Sequence, residues 1–525
     1  MPRHFIDEID DTLVFERSES FGGGMDGFLR AALLAPDQWQ YGENLILADN
    51  LEAGTRAGVT TLGSSLGAAI QGLLFFSTPS ITHLVAASSG KLFYRGPVGA
   101  WTETTGYTPA DPTIPIAAAQ GMDQALFSDA SGALAIWNGT AWSICTTGAT
   151  DPPTGPTCLC WHGGRMFAGG FSGSGGAGKE DDAIWVSNRL SFGNGQWDQT
   201  TRQFRVGAGE GDPIRAIASM QAFNLAVLKE NSVWIVNADP ANEAADFSAD
   251  QPSESVSYGV GCVGRRAWCN YGNDLLFLAR DGVRSLQRMV AAAGQYQLAA
   301  PISQPIQPLI DRINWAYASK VAAVKYRELA LFAVPLDNAL TPNTVLVWHG
   351  RLGRWIGIWT GLTPTAWAVT RYAGVSELIH GDASGRVRMW KDGDDPEADA
   401  TYLDDATGIA SKLWTRSMLF GEPINYKTAY HAEVRLSAAN ALMNITLMGD
   451  DAELKTWSVN AQPTGAGLPL NLPFDLATTQ PAAERRGLRG LLPFNEVYLR
   501  LESTSGWWRA RNFTLSAFLN TLANQ

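Results

Sequence analysis

Leu126 to Trp137 reads LFSDASGALAIW, and Ile379 to Trp390 reads IHGDASGRVRMW. In both, a largely apolar run meets Asp-Ala-Ser-Gly, a second run follows, and Trp closes the unit five residues after the Gly. An Asp carboxylate can accept from backbone N–H groups just ahead of it, and Gly tolerates positive φ, so the tetrapeptide favours a turn. Apolar flanks rich in β-branched and aromatic residues favour pleated strands. Each unit therefore reads as a β-hairpin, with Asp129 and Asp382 at equivalent turn positions. Gly132 and Gly385 complete the turns, and Trp137 and Trp390 end the second strands.

Outward from these copies the pattern recurs in looser form. Val85 to Tyr94 (VAASSGKLFY), Ala226 to Val236 (AVLKENSVWIV) and Leu275 to Leu286 (LLFLARDGVRSL) each place a polar turn between apolar runs. A longer unit runs from Leu329 to Trp359, with Pro-Asp-Asn in place of the tight turn, and another lies around Gly163 to Trp197. A four-stranded propeller blade takes about 40 to 50 residues, and the hairpins start at roughly that spacing, so six or seven blades fit residues 61–395. A pair of β-sandwiches is the competing architecture; the repeated Gly-turn-Trp unit favours the propeller.

Asp392 to Asp405 (DGDDPEADATYLDD) packs seven acids into a Pro-containing run, which reads as a solvated boundary. Beyond it, residues 396–525 hold strands such as Ala432 to Leu436, Met443 to Met448, Val497 to Leu501 and Arg511 to Phe518 without another Asp-Ala-Ser-Gly, and read as a β-sandwich-like domain. Ahead of the repeats, residues 1–60 read as an arm. The Gly22 to Gly24 triplet permits a sharp turn, Leu45 to Leu47 can form a short strand, and Arg56 and Gly58 precede the first repeat. A propeller that is not closed exposes two strand edges, so this arm is expected to pack on the propeller and supply the closing pairing. The fold class is all-β.

Bulk properties agree. The chain is 45% apolar, 17% charged and rich in Gly, Trp and Phe, a composition that folds and favours strands joined by turns. No long apolar run or basic, apolar leader appears, which argues against a membrane span or signal peptide. Five Cys in 525 residues do not make a disulfide framework and suit a reducing cytoplasm. A net charge of −12 disfavours tight, sequence-independent capture of nucleic acid, which relies on neutralising phosphates.

Candidate chemistry is sparse. Gly173 to Glu180 (GSGGAGKE) follows a phosphate-binding loop for seven positions, but Glu180 stands where a magnesium-binding hydroxyl belongs, so no nucleotide cofactor is expected. Cys158, Cys160 and His162 would share one strand face yet lack a fourth ligand, and the acidic run lacks calcium-loop spacing, so no metal is expected. The Asp-Ala-Ser-Gly turns are faintly similar to the sialidase Asp box, with the Asp one position early. Arg485, Arg486 and Arg489 form the densest basic patch and read as a solvated loop, with a partner or nucleic-acid contact as the alternative. No residue set supports an enzyme.

The order Gly22, Gly23, Gly24, Leu34, Pro36, Gln38, Asn44, Arg56, Gly58 resembles the opening of bacteriophage tail proteins. Tyr258 to Leu286, Pro301 to Trp315 and Ala333 to Trp359 resemble further stretches of the same group, above all the tail nozzle, or tail hub, of short-tailed phages. The resemblance implies a six-bladed propeller in a virion protein made in the host cytoplasm. It implies a hexameric ring below the portal and adaptor at the head-to-tail junction, conducting and retaining double-stranded DNA until ejection. The implied neighbours are the adaptor, a tailspike or fibre, and a distal plug or needle. The alternatives are a carbohydrate-binding or glycosidase-like propeller, and a distal-tail or baseplate hub of a longer-tailed phage.

Overall fold

The computed structural model describes residues 13–109, 111, 113–172, 179–220, 224–237, 253–293, 298–372, 374–391, 399–460, 482–488 and 491–519. Strands account for 51% of the chain and helices for 6%, so the fold is all-β.

Among the described residues, each of the seven repeat units supplies the second and third strands of an antiparallel set, and the Leu329 to Trp359 unit the fourth as well. Sheet 1 comprises Ile70–Ser77, Thr82–Ser88, Lys91–Arg95 and Thr102–Glu103; sheet 2 comprises Ala117–Gly121, Gln124–Ser128, Ala135–Trp137 and Trp142–Ile144. Sheet 3 follows with Cys158–His162, Arg165–Gly169, Ala183–Val186 and Gln203–Arg205, and sheet 4 with Ile214–Ser219, Asn224–Lys229, Ser232–Asn237 and Ser253–Tyr258. Sheet 5 has three strands, Trp268–Tyr271, Asp274–Ala279 and Gly282–Ser285, after which helix Leu286–Ala293 packs against sheet 5 and the last strand of sheet 4, burying Leu286 and Met289. Sheet 6 contains Ala322–Tyr326, Leu329–Val334, Thr344–His349 and Arg354–Trp359. Sheet 7 contains Pro364–Tyr372, Val375–Asp382 and Val387–Trp390, and its fourth strand is Val59–Thr61 from the opposite end of the chain. The count is seven where the resemblance implied six.

The core explains why the strands are apolar runs rather than alternating ones. Side chains alternate between the two faces of a strand, and here both faces are covered. Ala125 and Phe127 of sheet 2 pack with Val85 and Ala87 of sheet 1, whereas Leu126 between them packs with Met166 and Ala168 of sheet 3. Phe167 in turn faces Leu225 and Val227 of sheet 4. Leu84 and Ala86 of sheet 1 meet Ala366, Ile379 and Val387 of sheet 7, which brings the succession of sheets back to its start.

Beside this ring lie an extension of sheet 6 and a separate sheet, and both mix strands from the two ends of the chain. Gln38–Glu43 joins the outer edge of sheet 6 by a parallel bridge, then pairs with Ser411–Thr415, followed by Val497–Ser503, Leu442–Gly449 and Ala452–Asn460. The second runs Leu45–Leu47, Ala53–Thr55, Trp507–Leu519, Lys427–Ala439, Ala482–Gly487, with Leu13–Ser18 also on Trp507–Leu519. Their inward residues, among them Val434, Phe513, Ile445 and Leu501, belong to one apolar cluster that is continuous with sheets 4 to 6.

Candidate functional site

Residues of the N-terminal motif meet where sheet 7 is closed. Asn44 sits at positive φ (54°), a conformation Asn tolerates better than most residues, and this turns its side chain towards the interior. Its Nδ2 donates to Thr360 Oγ1 (3.0 Å) and the Ala410 carbonyl (2.8 Å). Its Oδ1 accepts from Arg56 Nε (2.9 Å) and the Thr360 amide (2.9 Å).

The Arg56 guanidinium is 0% exposed and forms a fork on Asp404, Nη1 to Oδ1 at 3.0 Å and Nη2 to Oδ2 at 2.6 Å. It also donates to the carbonyls of Ala57 (3.0 Å) and Thr360 (3.2 Å). Bidentate geometry with the remaining donors satisfied is the arrangement in which a buried ion pair repays its desolvation. Asp404 Oδ1 accepts from the Val59 amide (3.2 Å), and Asp405 accepts from the amide and hydroxyl of Thr61 (2.6 and 2.8 Å). The closing strand is therefore held at both ends by carboxylates.

Gly58 has no room for a side chain, since a Cβ there would lie 2.0 Å from the Leu403 carbonyl oxygen. Its amide donates to Thr401 O (2.7 Å), and its carbonyl accepts from the Lys391 amide (2.8 Å). The glycine triplet lies elsewhere, against sheet 6. Gly24 has φ +78°, and a Cβ on it would stand 2.7 Å from both Arg354 Cβ and the Trp355 carbonyl. Gly23 donates to Asp37 O (3.1 Å), and Gly22 packs on Leu51. Leu34 is buried, and Gln38 caps the Ala35 amide (2.9 Å).

Of the two repeated turns, the second reaches this latch. Asp129 Oδ1 accepts from the amides of Ser131 (3.0 Å) and Gly132 (2.9 Å), and Asp382 Oδ1 from those of Ser384 (2.8 Å) and Arg386 (2.9 Å). The backbones differ, because the positive φ falls on Ala130 in the first turn and on Gly385 in the second. Trp137 is buried against Trp142, whereas Trp390 stacks on Trp359 at 4.5 Å with the Arg56 guanidinium 5.8 Å from its ring. Arg388 links Asp382 (3.3 Å) to Asp405 (3.8 Å). The last repeat, the arm and the end of the acidic run thus form one polar network.

Sequence reasoning missed Asp404, Asp405 and Thr360. The two acids end the Asp392 to Asp405 run that reads as solvated, yet they are the counter-charges of the closure; residues 392–398 lie outside the described residues. A buried Arg needs a carboxylate, but the sequence does not pair residues 348 positions apart.

A second feature lies on the axis of the ring. One cavity of about 240 Å³ is lined by the first strands of all seven sheets or the residues leading into them, including Leu73, Ala117, Leu159, Ile217, Trp268, Ala323 and Trp367. Into it project the consecutive Arg265 and Arg266, from the connection between sheets 4 and 5. Arg266 Nη1 donates to Thr365 O (3.1 Å), and Nη2 donates to Ile116 O (3.0 Å) and to Gln71 O. Arg265 Nη1 donates to Pro115 O (3.1 Å). The lining contains no carboxylate. Burial, with Arg265 alongside, lowers Arg266 to about 9.

The remaining candidates disperse. Gly173 to Gly178 lie outside the described residues, and Lys179 donates to Thr154 Oγ1 (2.6 Å). Cys158 and Cys160 are buried thiols, the latter pushed up by burial to about 12, and His162 pairs with Ser219 (2.8 Å). Among the described residues no group of His, Cys, Asp and Glu is placed to hold a metal. Arg485 and Arg486 belong to a strand, opposite Glu433 and Ala432, rather than to a loop; Arg489 lies outside the described residues. Among the described residues no helix is long and apolar enough to cross a membrane.

No family model and no curated protein matches the chain. Among solved structures, it is similar to the computationally designed Ika8 protein (13% identity, TM-score 0.34, 63% of this chain and 99% of that one). It is also similar to the WD40 β-propeller domain of Doa1 (10% identity, TM-score 0.39, 64% of this chain and 96% of that one).

Proposed function

We propose that the chain is a structural virion protein of the tail-nozzle or tail-hub type: a closed, seven-bladed β-propeller that associates into a ring, of which a hexamer is the expected form, beneath the portal and adaptor of a short-tailed phage. The observation that carries this reading is the latch. Asn44, Arg56 and Gly58, residues on which the resemblance rests, are spent on closing the sheet rather than on facing a ligand. A motif used that way suits a part whose task is to hold shape. In the same reading the N-terminal arm and the C-terminal strands form a β-sandwich-like body beside the propeller, which would present surfaces to the adaptor, the tailspike or fibre, and the distal plug.

The axial cavity of about 240 Å³, with arginine side chains donating to carbonyls across it, has no room for a duplex. DNA would therefore pass through the hole between chains. A net charge of −12 suits a conduit, since each strong phosphate contact would have to break as the duplex slides. A glycosidase centred on the axis needs two facing carboxylates, and that lining has none.

Mass photometry with electron microscopy of the purified chain tests the proposal. Rings of about six copies with an open centre are expected; a monodisperse monomer at micromolar concentration would remove the proposal.

A further inference from the structure

Among the described residues, the axial cavity is lined by two adjacent guanidinium groups and no carboxylate. Arg266 is partly buried, and its partners, the carbonyls of Thr365, Ile116 and Gln71, are neutral and come from sheet 7, the lead into sheet 2 and sheet 1. Arg265 faces the same space with one carbonyl partner, Pro115. Neither arginine is ion-paired to any described residue, unlike Arg56, which has Asp404. Burying like charges side by side is unfavourable unless a counter-charge enters with them. The first strand of each sheet is also an edge strand, so part of its backbone faces the axis and can present N–H donors there.

We propose that this cavity binds a small oxyanion of phosphate's size, held by Arg265 and Arg266 at the axis of the ring. Room is sufficient: a water needs only about 10–15 Å³ of such space, and the cavity offers about 240 Å³. Guanidinium forks match the oxygens of a tetrahedral oxyanion, and the carbonyl contacts hold the pair in place before the anion arrives. Cys158, on the lining, donates its thiol to Arg215 O (2.9 Å) and stays neutral, so it does not compete as an internal anion. Binding there would tie sheets 1, 2, 5 and 7 together through one ion. The inference concerns the propeller alone and does not depend on the ring-forming role.

The test is calorimetric titration of the anion-free full-length protein with inorganic phosphate, sulfate and acetate at constant ionic strength, with thermal unfolding in parallel. Saturable binding of phosphate or sulfate, with a rise in Tm, is expected; preferential acetate binding would overturn the oxyanion assignment. Arg265→Gln, which spares the three-sheet contacts of Arg266, should weaken binding by about tenfold or more, and Arg265→Lys by less. Stabilisation that follows ionic strength alone, or is unchanged in Arg265→Gln, would overturn the proposal. Should either variant fail to fold, selenate-soaked crystals of the unaltered protein decide. An anomalous peak beside the two guanidinium groups supports the site, and its absence removes it.

Discussion

At the scale of the residue, stability is concentrated in side chains that have one correct partner. Arg56 is the clearest, because its removal leaves Asp404 without its counter-charge and takes one of two donors from Asn44 Oδ1. Arg56→Met is expected to cost about 3–5 kcal/mol, the usual penalty for breaking a buried pair from one side, measured by urea unfolding against the unaltered protein. Gly58→Ala should be at least as damaging, since the obstruction is the Leu403 backbone and no rotamer relieves it. His380, in sheet 7, supplies a pH dependence. Burial first, then Arg388, lowers its imidazole to about 4, with Asp382 and Asp404 opposing and Arg56 assisting. The unfolded chain therefore binds a proton that the folded chain refuses between about pH 6.5 and 4. Stability should fall as pH drops through that window, by at most about 3 kcal/mol, and His380→Leu should flatten that part of the curve.

At the scale of the element, Val59–Thr61 shows how much can rest on a short strand. Thr60 lies opposite Met389, between the Leu62 amide on Val387 O (2.8 Å) and the Lys391 amide on Gly58 O (2.8 Å). Proline cannot donate to a ladder, so Thr60→Pro should release the strand. Hydrogen exchange of Val387–Trp390 should then quicken, while sheets 2 to 4 keep their protection. The seven hairpins were legible in the sequence because each is local: a turn with its own acceptor, flanked by runs buried on both faces. Trp137 and Trp390 marked equivalent strand ends for the same reason. What was not legible is non-local. Asp404 looks like any acid in a charged run until its Arg is brought to it, and Arg265–Arg266 looks like an ordinary basic pair until the ring places it on the axis. Two adjacent arginines in the apolar, glycine-rich stretch from Tyr258 to Trp268 were the available signal, a weaker one than the denser Arg485, Arg486, Arg489 patch.

At the scale of the whole molecule, the arm is threaded through three sheets rather than laid on one surface. Trypsin should therefore cut at the buried Arg56 only as fast as the molecule opens globally, and loss of residues 1–60 should prevent folding or assembly. In a phage, particles lacking those residues should lose DNA or lack tails. The same threading governs how the chain is made. Sheets 1 to 6 are meanders that can form in order as they leave the ribosome, but the strand completing sheet 7 is translated before any of them. It must wait on the order of tens of seconds for Val387–Trp390 to appear, and Leu13–Ser18 waits longer still for Trp507–Leu519. Throughout that delay the nascent chain carries unpaired strands at its leading end and an open edge at its growing end, each able to pair with a neighbouring nascent chain. Synthesis on crowded polysomes is thus the stage most exposed to misassembly, and slower initiation or holdase chaperones should raise the soluble yield more than any substitution in the finished core.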